Sequence, residues 1–252
     1  MRMQGYRGGG WKSDSALCHA EGVMPGSALI LGIDTCGPSG SVALGRVVGG
    51  SIEILGQIEL EGGSYSATLV AAVGELLTRY GVELRGLAAI VAVSGPGSFT
   101  GVRVGLSAVK GLAEAASLPV VSVSRLEVLA AEAGAASAAI DAHRHEVYLR
   151  VGEPGGDATE LLAGASGLAE IEPPPARVAV CDEAASALLS ASWPASEQVR
   201  HAPPTAADAL KLAAPRVAAR EFVDVALLDA HYLRRSDAEI FGEPIPAQPD
   251  RR

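Results

Sequence analysis

"VAVSGPGSFTGVRVGLSAVKGLAE", residues 91–114, passes from an apolar run into a loop of glycine, proline, serine and threonine, and then into apolar residues at helical spacing. The wider run "LAAIVAVSG", residues 87–95, is continuously apolar, as expected of a strand buried on both faces, and the helical pattern extends from about Thr100 to Ala116. A buried strand feeding a helix through a glycine loop is the building unit of an α/β fold, so this stretch sets the class.

Upstream, "ALILGIDT" (28–35) reads as a buried strand, "CGPSG" as a tight turn, and "SVALGR" and "SIEILGQIEL" as two further strands of an antiparallel meander. Tyr65, Leu69, Ala72, Val73, Leu76, Leu77 and Tyr80 then recur at three and four residues, which predicts an amphipathic helix ending at Gly81. Downstream, "LPVVSVS" predicts a strand and residues 124–133 a third helix. The order βββ, α, β, α, β, α is that of a ribonuclease-H-like half-domain. "SAAIDAHRHEVYLRV" (137–151) repeats the opening, with Asp141 in the place of Asp34, which predicts a second, shorter copy of the unit interrupted by the loop-rich segment 152–176. "RVAVCD" resumes a strand, and residues 183–192 and 205–219 carry helical patterns.

The expected organisation is a flexible leader over residues 1–27, a first lobe over 28–134 with C-terminal helices 205–236 packing back on it, a smaller lobe over 135–204, and a disordered tail over 237–252. No run approaches the roughly 18 apolar residues needed to cross a bilayer, and a cytoplasmic location is expected. Cys18, Cys36 and Cys181 are far apart and form no C-x-x-C pair, so neither a disulfide framework nor a zinc site is indicated. With 20 Lys and Arg against 29 Asp and Glu, a net charge of −9 and no basic stripe, binding of nucleic acid by this chain alone is disfavoured.

A phosphate loop needs glycines so that backbone N–H groups can approach the anion, and a helix N-terminus to supply them. Asp34, Gly95, Gly97, Ser98, Thr100 and Gly101 are the candidate residues of such a site, but the spacing fits neither a dinucleotide fingerprint nor a Walker loop. Ser98 or Thr100 could instead cap the helix, and an aspartate at a strand end commonly caps the turn that follows. Inside the helix, Gly101, Gly105, Ala108, Gly111 (or Leu112) and Ala115 form a row of small residues. Mid-helix glycine costs about 1 kcal/mol relative to alanine, so the row calls for a closely approaching neighbour in this chain or in a partner. His143 and His145, on either side of Arg144, read as a solvated turn rather than a metal site, and no nucleophile signature is present.

"ILGIDTCGPSGSVAL", "AVSGPGSFTGVRVGLSAVKGLA" with "LPVVSVSRLEVLA", "IDAHRHEVY" and "HYLRR", in that order over about residues 28–236, resemble the bacterial TsaB proteins, also called YeaZ. The resemblance implies an α/β fold of the actin, sugar kinase and Hsp70 type (ASKHA), with two ribonuclease-H-like lobes. It implies a role in forming N6-threonylcarbamoyladenosine at position 37 of tRNAs that read codons starting with A. In that family the protein is a non-catalytic scaffold. It heterodimerises with the catalytic, metal-bearing TsaD paralogue and works with the TsaE ATPase, meets tRNA only through the complex, and forms homodimers when isolated. No metal and no cofactor of its own are implied, which leaves ATP or ADP at the interface with a TsaD-type partner.

Two departures bear on this. "GGSYSATLVAAV" holds no histidine, and Tyr65 stands where many TsaB proteins carry one; "CDEAAS" after "RVAV" lacks the glycine turn of the second half of an ATP clamp. An active ATP-dependent enzyme of the actin-like superfamily is the alternative, resting on Asp34 and the glycine loop, whereas a metallopeptidase lacks both ligands and nucleophile. The family's partner surface falls on helices 65–80 and 100–116, with Leu69, Val73, Leu76, Val102, Leu106 and Val109 as apolar contacts unless they face their own sheet. Leu76→Asp and Val109→Asp are then expected to weaken the heterodimer.

Overall fold

The computed structural model describes residues 27–48, 51–153 and 156–234, so the expected leader, apart from Ser27, and the expected tail lie outside the described residues. Two sheets organise the chain. In the first, β1 (Ser27–Asp34), β2 (Ser39–Val48) and β3 (Ser51–Glu61) form the antiparallel meander, and β4 (Ala89–Val93) and β5 (Val120–Val123) extend it in parallel, in the order β3-β2-β1-β4-β5. In the second, β6 (Ser137–Asp141), β7 (Glu146–Gly152) and β8 (Ala158–Gly164) are antiparallel, and β9 (Arg177–Val180) and β10 (Glu197–Arg200) run parallel beside β6, in the order β10-β9-β6-β7-β8. Counted from the first strand of each, the two orders are the same. Asp34 ends β1 and Asp141 ends β6, so the repeat seen in sequence is a repeat of topology.

The helices are α1 (Tyr65–Arg79), α2 (Phe99–Ala116), α3 (Arg125–Glu132), α4 (Ala165–Ala169), α5 (Glu183–Ser192) and α6 (Ala206–Ala219). Every residue of β4 is buried, as its unbroken apolar run requires of a strand between two others. α1 and α2 bury Leu69, Val73, Leu76, Val102, Leu106 and Val109 in the core of the first sheet, and α6 buries Ala209, Leu210, Ala213 and Ala214 in the same core. The approach of α6 is close: a Cβ on Gly32 of β1 would lie 2.8 Å from the carbonyl oxygen of Ala206. The Ala206 N–H donates to Ser41 Oγ at 2.8 Å, and Thr205 and Asp208 form a capping box at the start of the helix. Residues 220–234 are not helical, contrary to the expectation of helices over 205–236.

The segment 152–176, expected to be a loop-rich interruption, contributes strand β8 and helix α4, which complete the second sheet and its cover. The burial of its strand is irregular, so no clean alternation marks it in sequence. α3 joins the two halves. Its Leu126, Leu129 and Ala130 pack on Ala138, Ile140 and Ala179 of the second sheet, while Glu127 and Glu132 pair with Arg216 and Lys211 of α6 on the first. Among the described residues, no helix is long and apolar enough to cross a membrane.

Candidate functional site

The loop between β4 and α2 sits directly on the turn that follows β1. Gly95 takes φ +116°, a conformation that favours glycine. A Cβ on Gly97 would lie 2.2 Å from the carbonyl oxygen of Cys36, and one on Gly101 2.2 Å from that of Thr35. A Cβ on Gly105 would lie 2.2 Å from Thr35 Oγ1. These glycines allow the N-terminus of α2 to lie against the backbone of the first turn. The Thr35 hydroxyl donates to the Gly101 carbonyl at 2.7 Å and the Cys36 thiol to the Val93 carbonyl at 3.3 Å, which fixes the approach.

The contact and the helix cap together occupy part of the donor set that an anion would use. The Ser98 N–H donates to the Cys36 carbonyl at 2.8 Å, the Gly101 N–H to Ser98 Oγ at 3.2 Å, and the Val102 N–H to the Ser98 carbonyl at 2.9 Å. Ser98 is therefore the N-cap, whereas Thr100 lies exposed within the first turn of α2. Asp34 is 1% exposed; its Oδ1 accepts the Cys36 N–H at 2.8 Å, and its Oδ2 lies 3.8 Å from Nε of the buried Arg125. The carboxylate caps its turn and compensates an interior cation, a pairing that burial makes costly to break from either side. Tyr65 donates from its hydroxyl to the Gly37 carbonyl at 2.9 Å and so holds the first turn in place. Burial, and next the Asp34 charge, push the Cys36 thiol well above its ordinary value and raise the Tyr65 phenol.

The second half has its own version of this arrangement. Asp182 caps α5, its Oδ1 accepting the Ala185 N–H at 2.7 Å and its Oδ2 the Asp141 N–H at 2.9 Å. The negative charge at this helix N-terminus is the chain's own carboxylate. Beside it, burial pushes Cys181 up to about 11. Between the halves lies a cleft of about 1190 Å³, with Gly97, Ser98, Tyr65 and Arg125 on one side and Asp141, Tyr148 and Asp182 on the other. His143, Arg144 and His145 form the β6–β7 turn with φ between 56° and 62°, and His143 Nδ1 lies 2.9 Å from Asp141 Oδ2. Among the described residues, no group of three His, Cys, Asp or Glu side chains could hold a metal ion.

The structure thus brings Asp34, Gly95, Gly97, Ser98 and Gly101 together and leaves Thr100 apart on the surface. It also corrects the apolar contact set. Leu69, Val73, Leu76, Val102, Leu106 and Val109 are all buried in the chain's own core, so Leu76→Asp and Val109→Asp would test folding rather than association. The outward row of α1 consists of Ala67, Val70, Ala71, Gly74 and Thr78, with Val70 60% exposed. On α2 the small-residue row divides. Gly101 and Gly105 meet Thr35, whereas Gly111 faces open space and Ala115 is exposed. Helical spacing picked out the apolar row of each helix but not whether that row meets the chain's own sheet or a partner. Arg125 was not singled out, since a basic residue beginning a helix gives no sign of burial.

Two tandem sheets of matching order, a cleft between them, and a glycine loop at the end of β4 define a two-lobed α/β protein of the actin, sugar kinase and Hsp70 class. Within that class the chain is similar to the TsaB (YeaZ) proteins. It is 39% identical over 125 residues to the tRNA threonylcarbamoyladenosine biosynthesis protein TsaB of Escherichia coli, a match covering 47% of this chain and 52% of the relative. The chain thus spans about half the length of that curated relative. The solved structure of YeaZ from Pseudomonas aeruginosa is 28% identical, with 82% of this chain and 100% of that chain covered and a TM-score of 0.64. A protein of Pseudomonas aeruginosa described as similar to peptidase YEAZ is 29% identical over the same shares, with a TM-score of 0.67. Residues 59–165 match the family model for TsaD, tRNA N6-adenosine threonylcarbamoyltransferase.

Proposed function

We propose that this chain is a non-catalytic subunit in the biosynthesis of threonylcarbamoyladenosine in tRNA, acting in the cytoplasm as a scaffold for a TsaD-type catalytic partner. The observation that carries the reading is the use of the loop donors inside the fold: the Ser98 and Gly101 N–H groups are bonded to Cys36 and to the Ser98 side chain. An ATP clamp would need such groups free. The outward faces of α1 and α2 support the docking role. Ala67, Val70, Ala71 and Gly74 are exposed on α1, Ser107, Gly111 and Ala115 are exposed on α2, and the two helices pack against each other. Small side chains allow the helices of a partner, or of a second copy of this chain, to approach closely. A TsaE-type ATPase joins the heterodimer, tRNA is met only through the assembled complex, and ATP or ADP binds at the interface with the partner.

A second reading, an ATP-dependent enzyme of the same superfamily, is favoured by the volume of the interlobe cleft, about 1190 Å³. Calorimetry separates the two. ATP with magnesium is titrated into the chain alone and into its mixture with a TsaD-type protein. Heat in the mixture only is the expected result; micromolar binding by the chain alone would overturn the scaffold reading.

A further inference from the structure

The segment "FVDVALLDAHYLR", residues 222–234, follows α6 as an irregular stretch with a turn at residues 225–227 and lies against both lobes. On the first lobe, the Val223 N–H donates to the Val120 carbonyl of edge strand β5 at 2.9 Å, and the His231 N–H to the Ser94 carbonyl at 2.8 Å. Tyr232 accepts from Arg103 Nε at 2.6 Å and packs on Phe99, ring centroids 5.2 Å apart. On the second lobe, the His231 ring nitrogen Nε2 lies 2.9 Å from Glu160 Oε2 of β8, and Arg234 pairs with Glu146 of β7. Leu233 packs against the cluster that joins α3 to the second sheet. His231 is thus held by its backbone on one lobe and by its ring on the other.

Glu160 gathers these ties. Its carboxylate, only 8% exposed, accepts from His231, from the Ser124 hydroxyl of the first lobe at 2.6 Å, and from Arg150 of its own sheet at 3.0 Å. The chain itself passes between the lobes only twice in the described residues, once from α3 into β6 and once from β10 into α6. Two covalent crossings leave a hinge freedom, and hinge closure about a cleft is a common mode of domain motion. Besides α3, which packs on the second sheet and pairs with α6 on the first, the segment is a further noncovalent connection, without regular structure, which gives it the character of an element that opens locally.

We propose that residues 222–234 are a strap that sets the angle between the lobes, with the Glu160 carboxylate as its latch, and that release of the strap widens the cleft it borders.

The test is a distance measured by pulsed electron paramagnetic resonance between spin labels at Thr78→Cys on α1 and Ala187→Cys on α5, both exposed. Cys18→Ser and Cys181→Ser remove competing thiols from the full chain, and Cys36 is buried and stays. The expected result is one narrow distribution for this parent. His231→Ala and the double variant His231→Ala with Arg234→Ala broaden it and add a longer-distance population, and His231→Gln, which keeps a donor, returns it toward the narrow form. Circular dichroism confirms that each variant is folded. A distribution unchanged in both Ala variants overturns the strap. If the double variant fails to fold, the single change decides, because the His231 side chain is 39% exposed and contributes little to the core.

Discussion

The backbone N–H of Ser98 points at the carbonyl oxygen of Cys36, 2.8 Å away, so the residue at the centre of the glycine loop is bonded to the turn after β1. That bond makes the loop a packing element. Gly97, Gly101 and Gly105 are needed because the opposing surface is backbone and the side chain of Thr35, which begins the same turn.

The glycines of α2 therefore respond oppositely to one substitution. Gly101→Ala drives a Cβ to 2.2 Å from the Thr35 carbonyl oxygen and is expected to destabilise the chain by about 1–3 kcal/mol through overpacking. Gly111→Ala meets nothing within 4 Å and is expected to stabilise it by about 0.4–1 kcal/mol, since alanine costs less backbone entropy in a helix. Urea denaturation of the two variants checks the pair, and equal losses would show that the α2 contact is misassigned.

The two faces of α1 also separate. Val70→Asp lies on the outward row and is expected to shift stability within about 0.5 kcal/mol while weakening association with a TsaD-type protein in gel filtration. Leu76→Asp buries an unpaired charge in the core and is expected to abolish cooperative unfolding before any association can be measured. A Val70→Asp variant that assembles like the parent would move the docking surface elsewhere.

Glu160 gives the stability a defined acid limb. Burial by itself would raise its pKa, but hydrogen bonds from His231, Ser124 and Arg150 outweigh burial and hold it below the ordinary glutamate value. A carboxylate lowered in the folded state stabilises the chain above its unfolded pKa, and that contribution fades as the pH falls through the folded pKa. Urea midpoints measured from pH 7 down to pH 3 should decline less steeply for Glu160→Gln than for the parent below about pH 4.5, the region where free glutamate titrates. Parallel curves would show that Glu160 is not held by these bonds.

The thiols are expected to be inert at neutral pH. Burial raises the Cys36 thiol well above its ordinary value and pushes Cys181 up to about 11. Because the thiolate is the reactive form, alkylation of Cys181 by iodoacetamide, followed by peptide mass spectrometry, should accelerate only as the pH approaches that value, with Cys36 protected throughout. Rapid modification of either at pH 7 would contradict their surroundings.

Several features were legible in the sequence because they depend on neighbouring residues. Three strands joined by short turns, two helices at three- and four-residue spacing, the fully apolar β4 and the repeat of Asp34 at Asp141 each leave a local pattern. The antiparallel pairing of β1, β2 and β3 follows from the short turns between them. Strand β8 escaped because its burial is irregular and no alternation survives in "ATELLAG".

What only the tertiary structure decided is what covers the apolar row of each helix and what lies opposite each special residue. Leu76 belongs to the apolar row that its spacing marks, and the sheet beneath α1, set by residues far along the chain, is what that row meets. Gly101 meets Thr35, 66 residues away, and His231 meets Glu160, 71 residues away. Such contacts join segments whose separation along the chain leaves no periodic trace, so their partners are set by the folding of the two lobes rather than by any local pattern.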